Sequence, residues 1–291
     1  MRKWIKNRFI FAIPSLVFFV IFVLLPIILI IYFSFFSWDL LNPMRFVGLR
    51  NFKDLFTDKW FWNSIFVSFK YTILSVPLIF ILSLILGVFL QEEDKFSKIF
   101  RAFFYWPYMV PLVAAGTMWK WLLSTDTGMV NTILVNSGFN LVAWLEKPNL
   151  ALLSVVLVQV WVLTGFMMML FITGLQNVPH ELQEAAIVDG ANKFQLFWRI
   201  TFPLLKNTNI LVLTLSTAYC FRNFTIVYIL TTGGPGYATT VTPLYIYQQA
   251  FSSYRIGYAS AMSLIFLMFV FVISYFALKA RGKEEGEEQH G

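Results

Sequence analysis

The sequence predicts an all-α membrane protein, a bundle of six spans, and three observations predict it. Several apolar runs reach the ~20 residues that a helix needs to cross a bilayer. Hydrophobic residues make up 58% of the 291 residues and charged ones 13%, with mean hydropathy +0.71. A soluble domain carries about a quarter charged residues. Pro14, Pro26, Pro77, Pro107 and Pro111 lie within or beside the apolar runs. Such prolines are tolerated where packed neighbours satisfy the freed carbonyls, which favours a bundle over lone anchors.

The spans fall at about 9–34, 65–90, 100–123, 150–174, 204–230 and 257–279. Residues 1–8 are a basic amino-terminal stretch and 280–291 a polar tail, expected to be irregular from Glu284. The run Phe9–Phe36 is too long for a signal-peptide core and lacks a small-residue cleavage site, so it reads as a retained first span. Orientation follows from the cations. Those at 2–8, 95–101, 193–206 and 279–283, about 13 Lys and Arg, share one side against about 8 on the other. That bias puts both termini and the loop 179–203 in the cytoplasm of a multi-pass cell-membrane protein. The net charge of +7 is this loop bias and does not indicate nucleic acid.

Composition also limits the chemistry. The single Cys220 sits in an apolar run and leaves no disulfide framework or Cys metal site. His180 and His290 are far apart. No span carries a His or a carboxylate pair, so an enzyme with a nucleophile–base pair or metal is not expected. No GxxxxGK[ST] phosphate loop is present, so ATP chemistry would belong to another chain. No cofactor is expected on this one.

The most ordered stretch is Pro179–Leu205. Pro179 suits a first helical position, where its missing N–H has no partner. Glu181 and Glu184 follow in the first turns, near the positive helix end. Gly190 stops the helix in a left-handed conformation. Asn192 and Gln195 form a capping-box pair that starts a second helix, and Pro203 opens the next apolar run. Leu182, Ala185, Ala186 and Asp189 share one face, whose small residues allow close approach by a partner groove. A helix lying on lipid is the alternative, although its polar face has few Lys or Arg.

Glu184-Ala185-Ala186-x-x-Asp189-Gly190-Ala191, with Ile200 and Pro203 downstream, resembles the EAA loop of permease subunits of binding-protein-dependent ABC importers. The resemblance implies a six-span permease bundle in which this loop is a cytoplasmic coupling helix seated in an ATPase subunit. Glu181, Glu184, Ala185, Ala186, Asp189, Gly190 and Ala191 would carry the coupling. It implies as partners a second permease subunit, two ATPase subunits holding ATP and Mg, an extracytoplasmic solute-binding protein and a sugar. The segment Val47-Gly48-Leu49-Arg50-Asn51-Phe52 is similar to a signature of the sugar-permease branch, related to maltose and glycerol-phosphate permeases.

Trp60 and Trp62 read as an interfacial belt, and Glu92-Glu93-Asp94-Lys95 as a solvated turn without chemistry. The outer loop from Asp126 through Asn131 and Gly138 to Trp144 reads as belt plus turns, or as contact with a docked protein or sugar. Met167-Met168-Met169 fits core packing as well as a pathway.

In the fifth span, Arg222 is a charge inside an apolar run, which implies a cavity or a paired partner, or else snorkelling to the interface. Asn223 beside it cannot snorkel. Aromatic faces near polar groups suit sugar rings, so Tyr219, Arg222, Asn223 and, in the fourth span, Phe166 are the substrate-path candidates. The resemblance implies a sugar-lining helix here, just before the outer-loop motif Leu230-Thr231-Thr232-Gly233-Gly234-Pro235. Maltose-type permeases carry Asn-Asn where this chain has Arg222-Asn223, and the Arg is compatible with an acidic or phosphorylated sugar. A non-sugar solute remains open. A self-sufficient secondary transporter is the other reading, although no repeat relates the two halves.

Overall fold

In the computed structural model, residues 13–288 are described. The basic stretch 1–8, the start of the first expected span, and residues 289–291 with His290 lie outside the described residues. Among the described residues the regular structure is helical apart from one short hairpin, and the chain forms two units.

The first unit holds the chain up to Trp62 together with Tyr245–Val272. Helix α1 (Ile13–Ser34) contains a π-helical turn at Val20–Leu24. It is apolar on every side, and its apolar window has no buried residue. Two-residue strands, β1 (Phe36–Ser37) and β2 (Arg45–Phe46), then pair antiparallel with Phe36 opposite Phe46. The all-α expectation missed this hairpin because two residues are too few to show a strand period.

Asn51, in α2 (Arg50–Thr57), explains the first outer motif. Its buried amide donates to the carbonyls of Ser34 at 2.8 Å and Phe36 at 2.9 Å, at the end of α1 and the start of the hairpin. Asp58 serves a similar role. Its carboxylate accepts the Trp60 N–H at 2.8 Å and the hydroxyls of Tyr245 at 2.9 Å and Tyr258 at 2.6 Å.

The second unit is Asn63–Leu244 with the chain from Ile273. Its long helices are α3 (Lys59–Phe89), α4 (Lys95–Met109), α5 (Leu112–Leu122), α6 (Met129–Asn136) and α7 (Pro148–Gln176). The loop helices α8 (His180–Val188) and α9 (Lys193–Leu196) come next. A π-helical turn, Phe197–Thr201, and the short helix Phe202–Leu204 lead into α10 (Lys206–Arg222), followed by α11 (Thr225–Thr231). The chain then runs through α12 (Thr242–Tyr247) to α13 (Ile256–Glu288). Thus α13 continues past the expected end at 279, through a Lys/Glu-rich stretch of good helix formers, and Glu284–Glu288 is helical.

Helix α7 is the centre of the second unit. It is apolar all round and mostly buried, as a helix enclosed by others must be. It packs against α4, α10 and α11, while α5 packs against α11. Met167 and Met168 are fully buried core residues, and Cys220 is buried as well.

Close crossings are made at small residues, as expected where apolar side chains gain little by packing against each other instead of lipid. A Cβ on Gly165 of α7 would lie 1.8 Å from the Phe104 carbonyl oxygen of α4, and one on Gly116 of α5 would lie 3.0 Å from Ile229 of α11.

Helices α1, α3 and α7 are each long and apolar enough to cross a membrane, and the pair α10–α11 makes a fourth with a 48° bend. The third expected span, 100–123, is two helices. The chain breaks at Val110, held extended (φ −72°, ψ 134°) by the proline that follows it. Pro77 and Pro107, by contrast, sit inside continuous helices.

Candidate functional site

The loop between α7 and α10 is built from local signals. Pro179 occupies the cap position of α8 (φ −58°, ψ 125°) and not the first helical position expected of it. Its ring fixes φ but leaves ψ free to turn the chain into the helix. Glu181 lies in the first turn, and Glu181 and Glu184 are exposed. Gly190 has φ +86°. Its N–H donates to the Ile187 carbonyl at 3.0 Å and the Ala191 N–H to Ala186 at 2.9 Å, the Schellman pattern that satisfies orphan carbonyls at a helix end. Asn192 and Gln195 bond reciprocally at 2.9 and 3.0 Å, so the capping box forms as spaced.

Helix, left-handed turn and helix therefore make a stiff knuckle. Of the expected face, Ala186 is buried, whereas Leu182, Ala185 and Asp189 are exposed. The knuckle also exposes apolar side chains that sequence reasoning missed. Val188 is 86% and Phe194 72% exposed, with Ile187 beside them. Uncovered apolar residues grouped on a loop can meet a partner protein or the membrane. The usable signal was Ile187-Val188 directly before the stop glycine.

A second cluster lies among α4, α7 and α10. The Phe166 and Tyr219 rings are 6.2 Å apart, and Tyr108 of α4 joins them. Tyr108 stacks on Phe166 at 4.6 Å and 9°, and its hydroxyl lies 2.9 Å from that of Tyr219. Gly165 is what allows this, since the close α4–α7 crossing brings Phe166 and Tyr108 together. All three residues are only partly buried. Tyr108 was missed because it falls in a run of aromatics, 103–108, that gives no hint which ring turns inward.

Arg222 and Asn223, adjacent in sequence, are placed apart in role. Helix α10 ends at Arg222, whose side chain is exposed in the last turn, where a cation suits the helix dipole. No ion pair to it occurs among the described residues. Asn223 is buried at the bend. Its amide donates to the Tyr71 hydroxyl and, at 3.0 Å, to Gln159, while its carbonyl oxygen accepts the Ile226 N–H at 3.3 Å. It holds the break between α10 and α11 open in a defined geometry, with its amide already engaged inside the chain.

The outer-loop motif folds on itself. Gly233 has φ +95°, and its carbonyl accepts the Thr240 hydroxyl at 2.8 Å. The Gly234 carbonyl accepts the Thr239 hydroxyl at 2.8 Å, and the Gly234–Pro235 peptide is cis. The other outer loop is organised by Asn131, which is buried, bonds to both Val142 and Thr125, and accepts the Trp144 indole N–H at 3.1 Å. The polar edge of Trp144 is thus already partnered.

Residues 56–281 match the family model described as binding-protein-dependent transport system inner membrane component. The chain is 36% identical over 272 residues to the trehalose/maltose transport system permease protein MalF of Thermococcus litoralis, covering 93% of this chain and 91% of that protein. It is 32% identical over 254 residues to the sulfoquinovosyl glycerol transport system permease protein SmoG of Agrobacterium fabrum, covering 87% and 82%. In fold it is similar to a chain of a bacterial ABC transporter involved in import of the acidic polysaccharide alginate, with TM-score 0.85, 24% identity, and coverage of 97% and 99%.

Proposed function

Because the chain belongs to the family of binding-protein-dependent transport system inner membrane components, we propose that it is one of two permease subunits of an ATP-driven carbohydrate importer. A solute-binding protein delivers the sugar on the outer side. The chain crosses the cytoplasmic membrane six times with both termini inside, pairs with a second permease, and rests on two ATPase subunits that hold ATP and Mg. The observation that carries this reading is the knuckle. It is a short, doubly stopped helix with bare apolar side chains, set between helices of membrane-spanning character.

Glu181, Glu184, Ala185, Asp189, Gly190 and Ala191 form its contact with the ATPase, while Ala186, buried within the chain, supports the helix from beneath. Tyr108, Phe166 and Tyr219 offer ring faces and hydroxyls to a sugar, while Asn223 shapes the path by holding the bend. The Gly233-Gly234-Pro235 loop faces the binding protein. The names of the trehalose/maltose and sulfoquinovosyl glycerol relatives support a carbohydrate as cargo.

A second reading narrows the substrate to an anionic carbohydrate. It is favoured by Arg222, exposed and without an ion pair among the described residues, and by the sulfonated sugar in the name of one relative. Arg is well suited to planar bidentate recognition of an anionic head group.

The test is to co-express the chain with a second permease, an ATPase and a solute-binding protein of the same family of importers, and to label Ala191→Cys in right-side-out and inverted vesicles with a membrane-impermeant thiol reagent. Labelling only in inverted vesicles, with a stoichiometric ATPase in the purified complex, is the expected result. External labelling, or a complex without an ATPase, overturns the assignment.

A further inference from the structure

The turn between α3 and α4, Glu92-Glu93-Asp94, is part of a bracket. Arg101 of α4 donates from Nε to the Leu90 carbonyl at 2.7 Å, from one terminal nitrogen to the Glu92 carbonyl at 2.7 Å, and from the other to the Glu93 carboxylate at 3.1 Å. These bonds satisfy carbonyls of the turn that follows α3. The Arg101 side chain is only 12% exposed, so its donors have little access to water in exchange. The same Glu93 oxygen accepts the Gln176 side-chain N–H at 3.2 Å, and the other lies 3.2 Å from the Lys98 ammonium. Arg101, and then Lys98, hold the Glu93 carboxyl below the ordinary carboxylate range, so it stays charged.

What matters is where these residues stand. Gln176 is the last residue of α7, four positions before α8 begins. Arg101 lies seven residues before Tyr108 on α4, about 10 Å along one continuous helix. One carboxylate therefore joins the root of the knuckle to α4, the helix that contributes Tyr108 to the aromatic cluster.

We propose that Glu93 is a positioning residue that fastens the root of the α8 knuckle to α4, so that displacement of the knuckle is carried to Tyr108. The inference rests on the coupling role proposed for α8. Rigid helices joined by a charged hydrogen-bond network are the kind of element through which two sites bias one another.

The test compares wild type, Glu93→Ala and Glu93→Gln. Hydrogen exchange is measured on the purified chain in lipid nanodiscs, and binding-protein-stimulated and basal ATP hydrolysis on the whole complex. Glu93→Ala should speed exchange of amides 176–191 by about three- to ten-fold, the loss of roughly one hydrogen bond. Exchange within the middle of α7 should not change. The stimulated-to-basal ratio should fall by a similar factor. Glu93→Gln keeps an acceptor for Arg101 and Gln176 and should restore part of both effects, which loss of general stability would not predict. Unchanged exchange at 176–191, or a wild-type ratio in Glu93→Ala, overturns the proposal. If no ATPase docks on the wild-type complex, the coupling reading fails instead, and a transmitting role for Glu93 falls with it.

Discussion

Replacing Gly165 with Ala tests whether the α4–α7 crossing seats the aromatic cluster. The added Cβ would lie 1.8 Å from the Phe104 carbonyl oxygen and 2.8 Å from the Tyr105 Cα. Ordinary contact needs about 3.5 Å, so the helices must part by about 1.7 Å. The obstruction is backbone, and no side-chain rotation relieves it. Phe166 follows the substituted residue, and Tyr108 lies one turn beyond Phe104. The 4.6 Å stack between them must therefore open with the crossing. Overpacking of this kind costs about 1–3 kcal/mol, and the lost aromatic pair adds about 0.5–1.5 kcal/mol. Denaturant unfolding of the purified chain in mixed micelles, followed by near-ultraviolet circular dichroism, reads both effects. The expected result is a destabilisation of about 2–4 kcal/mol with a weakened aromatic band in the folded state. An unfolding midpoint and aromatic band equal to wild type would refute the crossing geometry, and with it the account of why Phe166 and Tyr108 meet.

Three further outcomes are expected. Gly190→Ala meets no neighbouring atom but must hold φ +86°, at a cost of about 1 kcal/mol. Complex assembly should survive while stimulated ATP hydrolysis falls, and wild-type stimulation would count against a fixed knuckle angle. In a cycle of Tyr108→Phe and Tyr219→Phe, the 2.9 Å hydroxyl pair should appear as about 1 kcal/mol of non-additivity in the solute concentration for half-maximal ATP hydrolysis. Additive effects would show that the hydroxyls act separately. Arg222→Ala should weaken stimulation by an anionic sugar more than by its neutral analogue, with assembly unchanged. Equal loss for both sugars would return Arg222 to a helix-end charge.

Much of the site was legible in the chain because its causes are local. The knuckle follows from Gly190, Asn192 and Gln195, whose bonds close within a few residues and need no distant partner. The apolar runs likewise carry the membrane class in plain composition. Residue types in a fixed order at 184–191 were specific enough to point to the family.

What lay beyond the sequence depends on contacts between segments far apart in it. Tyr108 and Tyr219 are 111 positions apart, and only the Gly165 crossing decides which aromatic of the run at 103–108 meets Phe166. Arg222 and Asn223 share a dipeptide, yet the bend exposes one and buries the other against Tyr71 and Gln159, 152 and 64 positions away. Glu93 looked like an idle solvated charge until Arg101 and Gln176 were seen on either side of it. Apolar periodicity says that a helix is enclosed, but where every face is apolar it cannot say which neighbour each face meets. That choice was made by the few small residues and buried polar groups whose partners only the tertiary structure supplies.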